Sequence, residues 1–276
     1  MTLSTFVKNF WVLFSILLIN VSSFFCNNAN SAQLNIEREN SFAQPLRIAV
    51  SSNFTPTLKK LLVDFHQQTN IKTQIISGAT GAMFTQIQHG APFDIFIAAD
   101  NLRPLWLEQE GLIIPNSRKT YAQGKLALFS MSNKVKLSDL QNISPLTQKR
   151  LAIANPKTAP YGKAAKQVLE YLGLWEQMKE GLVVGINVNQ TFTQVRTQAV
   201  NSGFVAYSQL LLNGLTGAII PSTYHQPITQ QLVILKSSYN IDNAKTLSEY
   251  LLTPHIQKKI VSMGYSTIDK STIEQG

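Results

Sequence analysis

The chain has 276 residues, of which 44% are hydrophobic and 14% charged. That is enough apolar material for one large domain or two lobes, and too much for a disordered chain. Its 24 Lys and Arg against 15 Asp and Glu give a net charge of +9, a surplus that attracts anions in general. The basic residues are nevertheless scattered, with only short pairs such as Lys59-Lys60 and Lys258-Lys259 and no aromatic-interleaved patch, which argues against nucleic acid as a partner.

At the start of the chain, Lys8 precedes an apolar run, Phe10 to Ile19, and then polar and small residues through Ala32. This order reads as a secretory signal peptide over residues 1–32 and points to a periplasmic or other extracytoplasmic location. The alternatives are an uncleaved anchor, because Asn30 fits the cleavage rule poorly, and lipid attachment at Cys26, against which the bulky Phe24 and Phe25 count. Cys26 is the only cysteine, so a cleaved chain has no disulfide framework, Cys-ligated metal or cysteine nucleophile.

A short strand is expected at Arg47 to Val50, followed by a helix from Thr55-Pro56 with Leu58, Leu61, Leu62 and Phe65 on one stripe. Strands at Ile71 to Ile76 and Asp94 to Ala98 alternate with helices at Met83 to His89 and Leu102 to Gln109. A second set follows, with strands at Leu126 to Phe129, Leu151 to Ala154, Val183 to Ile186 and Phe204 to Ala206. Its helices are expected at Lys163 to Leu172 and Thr191 to Val200. A strand at Gln231 to Leu235 is placed to return to the first sheet, ahead of two closing helices. Alternating βα units imply mainly parallel sheets flanked by helices. The fold class is therefore α/β with two lobes, 45–124 with 227–276 and 125–226, joined by crossovers near Tyr121 to Gly124 and Pro221 to Pro227.

Four βα junctions share one chemistry: Ser51-Ser52-Asn53, Ala79-Thr80-Gly81, Pro160-Tyr161-Gly162 and Asn187-Val188-Asn189. All lie at the carboxyl ends of expected parallel strands, where open α/β sheets bind ligands, and two belong to each lobe. Hydroxyls, an amide and helix N-termini line the implied cleft, with no Asp, Glu, Lys or Arg in the four turns. Such a site suits a small, fully ionised anion. Desolvating a dianion costs tens of kcal/mol in the Born limit, and each hydrogen bond to it returns about 1.5–3 kcal/mol. Many donors are needed, and Ser52, Asn53, Thr80 and Tyr161 with nearby backbone N–H groups offer roughly seven.

Val50-Ser51-Ser52-Asn53-Phe54, Ser77-Gly78-Ala79-Thr80-Gly81, Gly90-Ala91-Pro92-Phe93-Asp94 with the following Ile95 to Asp100, and Asn187-Val188-Asn189-Gln190-Thr191 resemble the periplasmic molybdate-binding proteins of molybdate ABC importers. The likeness runs in order from about Leu46 to Gly264. It implies a type II periplasmic-binding fold that closes on molybdate or tungstate and delivers it to a membrane permease, working as a monomer without a cofactor. By position, Ser52, Asn53, Thr80, Tyr161 and Val188 match the family's oxyanion contacts, Val188 through its backbone N–H. No protein atom then ligates molybdenum directly. One departure stands out: where some members carry a tyrosine hydroxyl this chain has Ala206, with Tyr207 expected on the opposite strand face and Tyr161 as the substitute.

An acid pair formed by Asp94 and Asp100 is disfavoured, since Asp100 reads as a cap for the helix near Leu102. His66, His89, His225 and His255 lack metal-ligand spacing, and hydrolase and nucleotide-binding motifs are absent. The alternatives that remain are a binding protein for sulfate, phosphate or iron, and an enzyme or regulator domain on the same fold. A regulator would need a helix-turn-helix upstream.

Overall fold

The computed structural model describes residues 44–132, 135–142 and 150–268; the expected leader and Cys26 lie outside them. Ten strands are described: β1 (Leu46–Ser51), β2 (Thr73–Gly78), β3 (Ile95–Ile97), β4 (Lys119–Gly124), β5 (Leu126–Phe129), β6 (Leu151–Ala154), β7 (Val183–Gly185), β8 (Ser202–Ala206), β9 (Ala218–Ile219) and β10 (Ile228–Ile234). They form two five-stranded sheets, in the orders β2-β1-β3-β10-β4 and β7-β6-β8-β5-β9. In the first, β2, β1 and β3 pair in parallel and β10 lies antiparallel between β3 and β4. The second repeats the scheme, with β7, β6 and β8 parallel and β5 reversed between β8 and β9. Each sheet is thus mixed but mainly parallel.

Parallel neighbours need crossover connections, and helices supply them. They are α1 (Thr55–Thr69), α2 (Thr80–Gln88) and α3 (Leu102–Gln109) around the first sheet, then α4 (Pro160–Tyr171), α5 (Trp175–Met178), α6 (Val188–Arg196) and α7 (Tyr207–Leu212) around the second. The closing pair is α8 (Ile241–Leu252) and α9 (Pro254–Ser262). Successive strand residues face opposite sides of a sheet, so Ile48 and Val50 pack with Leu58, Leu61 and Phe65 of α1. Ala49 and Phe96 instead meet Met83 and Ile87 of α2 and Leu107 of α3. In the second sheet Leu128, Ile153 and Phe204 pack with Val168 and Leu169 of α4, while Ala127, Ala152 and Val205 pack with Phe192 and Val195 of α6. Each fully buried Leu, Ile or Phe contributes about 1.5–3 kcal/mol.

The boundaries differ from the sequence expectation in an informative way. Helices expected from Met83, Lys163 and Thr191 begin at Thr80, Pro160 and Val188. Their first turns carry small and polar residues outside the apolar period, so hydrophobic spacing alone starts them one turn late. At the other end, α6 stops at Arg196, Gln198 turns left-handed with φ 61°, and Ala199 is exposed while Val200 is buried. Tyr207 is not on a strand: β8 ends at Ala206, and Tyr207 opens α7 with its N–H donating to Lys125 O at 2.9 Å.

The chain passes from β4 to β5 through the single residue Lys125, and from β9 to β10 through residues 220–227. Ser51 pairs with Gly78 and Val50 with Ile97. This register makes the carboxyl ends of β1, β2 and β3 level and brings their following turns side by side.

Candidate functional site

Three turns of the first sheet build one wall. Ser52 N–H donates to Gly78 O at 2.9 Å, which ties the turn after β1 to the end of β2. Thr80 is the first residue of α2, and its hydroxyl accepts from Ala99 N–H at 3.1 Å and lies 2.5 Å from the Ser51 hydroxyl. With Ser51 as the donor, both acceptor positions on Thr80 are filled, and its own proton is left for another partner. Asn53 donates through Nδ2 to Gln230 Oε1 at 3.1 Å, while its buried Oδ1 has no partner.

Two helix N-termini of the second sheet form the opposite wall. Tyr161 sits in the first turn of α4, and Val188 opens α6. Asn187 caps α6 by accepting from Gln190 N–H at 3.0 Å, the role its residue type favours before a helix. A helix leaves its first N–H groups without intrahelical acceptors and carries a positive end, so the Val188 N–H is available to an anion. The Val188 side chain packs in one cluster with Tyr161, Ala79 and Ala99.

Cross-contacts hold the walls together. Gly81 N–H donates to Thr158 O at 2.8 Å, so this first-turn N–H of α2 is already engaged. Arg103, paired with Asp100, reaches Lys157 O at 3.0 Å. Ser52, Asn53, Thr80, Tyr161 and Val188 are each at most 4% exposed, so all five are buried in this structure. Beside it, a cleft of about 280 Å³ opens between Ala99, Asp100 and Arg103 on one lobe and Lys157, Pro160 and Lys163 on the other.

Three contributors escaped sequence reasoning. Gln230 of β10 donates through Nε2 to the Tyr161 hydroxyl at 3.3 Å, and the Tyr121 hydroxyl, with one proton to share, lies 2.9 Å from Gln230 Oε1 and 3.0 Å from Ala98 O. The third is the Ser51 hydroxyl. The one available signal was the polar pair Gln230-Gln231 inside an apolar strand, since a fully buried amide needs partners. Burial pushes the Tyr161 phenol well above its usual value, as it does Tyr121. Tyr161 therefore keeps its proton and remains a donor across the physiological range.

The carboxylates near the site are engaged elsewhere. Asp94 accepts from Arg47 N–H and from the Ser238 hydroxyl, both at 2.7 Å, clamping β1 to the segment after β10. Asp100 accepts from Arg103 N–H at 3.1 Å, serving the first turn of α3 as expected, although Asn101 is the residue at the cap position itself. His66 and His89 lie within hydrogen-bonding distance of backbone carbonyls. Among the described residues no group of three or more His, Cys, Asp or Glu is placed to hold a metal ion. The chemistry of this arrangement, neutral donors without a nearby free carboxylate, suits a fully deprotonated anion better than a protonated one, whose OH needs an acceptor.

Residues 46–266 match the family described as bacterial extracellular solute-binding proteins. The chain is 40% identical over 227 residues to the molybdate-binding protein ModA of Azotobacter vinelandii, covering 81% of this chain and 90% of that protein. It is 36% identical over 220 residues to ModA of Rhodobacter capsulatus, covering 79% and 87%. The solved structure of the periplasmic molybdate-binding protein of Azotobacter vinelandii matches with a TM-score of 0.74 at 35% identity, covering 81% of this chain and all of that one. The sulfate-binding protein SubI of Mycobacterium tuberculosis, at 10% identity and TM-score 0.63 over 84% and 90%, shares the fold alone.

Proposed function

The chain belongs to the bacterial extracellular solute-binding protein family, and on that footing we propose that it captures molybdate or tungstate and delivers the ion to the permease of an ABC importer. Its relatives are named for molybdate binding. The observation that carries the reading is a buried ring of neutral donors at the meeting of two sheets. The Ser52 and Thr80 hydroxyls, the Asn53 amide and the Tyr161 phenol, with the Val188 N–H, are the oxyanion contacts, and molybdenum itself takes no protein ligand. The protein acts by binding and release, with no catalytic step.

The lobes are 45–124 with 227–276 and 125–226, hinged at the two crossings. Residues 1–32 serve as the signal peptide that places the chain in the periplasm, where it works as a monomer. Selectivity follows from size: sulfate and phosphate are smaller tetrahedral ions and cannot reach donors on both walls at once. Phosphate also carries a proton at neutral pH that a ring of donors leaves without an acceptor. Native mass spectrometry of the protein in the presence of molybdate tests the reading. One bound molybdate per chain is expected, lost on Tyr161→Phe with Asn53→Ala. A spectrum that shows no adduct at micromolar molybdate contradicts it.

A further inference from the structure

Gln230 holds two of the proposed oxyanion contacts yet stands apart from the four turns. It is fully buried in β10, the strand that returns from the second crossing to the first sheet. Its Oε1 accepts from Asn53 Nδ2 at 3.1 Å and from the Tyr121 hydroxyl at 2.9 Å, and its Nε2 donates to the Tyr161 hydroxyl at 3.3 Å. Asn53 stands on the first sheet and Tyr161 on a helix of the second, so one amide reaches both walls.

We propose that Gln230 is a positioning residue for oxyanion capture: its amide sets the direction of the Tyr161 hydroxyl proton and joins that setting to closure of the lobes. The inference rests on the reading of the cleft as a molybdate or tungstate site. A phenol has one proton to give and accepts in return. Because Gln230 Nε2 fills the acceptor side of Tyr161, that single proton is not spent on Gln230 and points to the anion. In this arrangement Gln230 Oε1 faces the Asn53 amide and its Nε2 faces the Tyr161 hydroxyl. Gly124 makes the approach possible: a Cβ there would stand 2.3 Å from the Tyr161 hydroxyl oxygen and 2.7 Å from Gln230 Nε2. The Gln230–Tyr161 contact joins β10 of the first sheet to the helix α4 beside the second, so lobe closure would bring its two partners into register. Tyr161 then becomes a fully oriented donor at the moment the anion is enclosed.

The test is a double-mutant cycle read by calorimetric titration of the full chain with molybdate, using Gln230→Met, Tyr161→Phe and the double variant. Gln230→Met is expected to weaken binding at least tenfold. The double variant should bind at least fivefold tighter than the product of the two single losses, because orienting a hydroxyl that has been removed has no further value. Losses that simply multiply would reduce Gln230 to packing and overturn the inference. Gln230→Glu supplies a second arm: at neutral pH its carboxylate accepts the Tyr161 proton and draws it away from the anion, so it should bind at least tenfold more weakly than Gln230→Met. Equal or tighter binding by Gln230→Glu would also overturn the inference. Wild-type protein that binds neither molybdate nor tungstate would instead remove the functional reading on which the inference stands, a result distinguishable from both.

Discussion

At Asn53 the proposed function turns on one side-chain group. Asn53→Ala removes one charge-assisted hydrogen bond and should cost about 1.5–3 kcal/mol of affinity. Asn53→Asp keeps the shape but sets a carboxylate against a dianion where water is excluded, and like charges at close range in reduced dielectric repel by several kcal/mol. The aspartate variant should therefore bind molybdate far more weakly than the alanine variant in calorimetric titration. Equal affinities would place Asn53 away from the anion. The four turns stand out in the sequence because each combines a strand end, a small or polar turn and a helix start within a few positions. Gln230 does not, because its partners Asn53 and Tyr161 are 177 and 69 residues away in sequence. No local pattern reports a hydrogen bond made by folding over that separation.

Among the elements, the helix N-termini supply the proposed backbone donors, and their exact starts were the least legible feature of the sequence. The apolar stripe of α1 was read correctly from spacing, yet Thr80, Pro160 and Val188 begin their helices before any stripe appears. Capping and backbone geometry govern the first turn, and apolar period says nothing about them. The β10 strand was placed in the first sheet from sequence, but its starting residues Ile228 to Gln230 were missed because the polar positions break the apolar run. At the N-terminus of α6, Asn187→Ala removes the acceptor of Gln190 N–H. It should cost about 1 kcal/mol of stability, seen as a fall of roughly 2–4 °C in the thermal midpoint. Molybdate affinity should drop as well, because the turn that presents Val188 N–H loosens. A midpoint shift with affinity intact would show that the α6 terminus does not touch the ligand. At the first crossing, Gly124→Ala meets the Tyr161 hydroxyl and the Gln230 amide at once, so it should weaken binding at least tenfold while the isolated protein stays folded. Unchanged affinity would show that the crossing can give way.

For the whole molecule, three buried phenols set the alkaline limit of stability. Burial raises Tyr265 to about 12 and holds Tyr161 and Tyr121 well above the usual value. A group whose folded pKa lies above its unfolded value stabilises the fold fully below the unfolded pKa, near 10 for a phenol. That contribution is lost as pH rises through the folded pKa. Denaturant midpoints should therefore be steady up to about pH 9.5 and fall between about pH 10 and 12, and Tyr265→Phe should flatten part of that fall. A steady midpoint through pH 12 would contradict the burial of these phenols. The closed arrangement also predicts a hinge motion, because only closure completes a ring drawn from both sheets. Small-angle scattering should show a smaller radius of gyration with molybdate than without it. The central claim, that the two lobes enclose a fully deprotonated oxyanion of molybdate size through neutral donors, is tested most directly by calorimetric titration of one protein sample with molybdate, tungstate, sulfate and phosphate. The expected result is sub-micromolar binding of molybdate and tungstate, beyond about −8 kcal/mol, with sulfate and phosphate weaker by at least a hundredfold. Sulfate or phosphate binding as tightly as molybdate would contradict it.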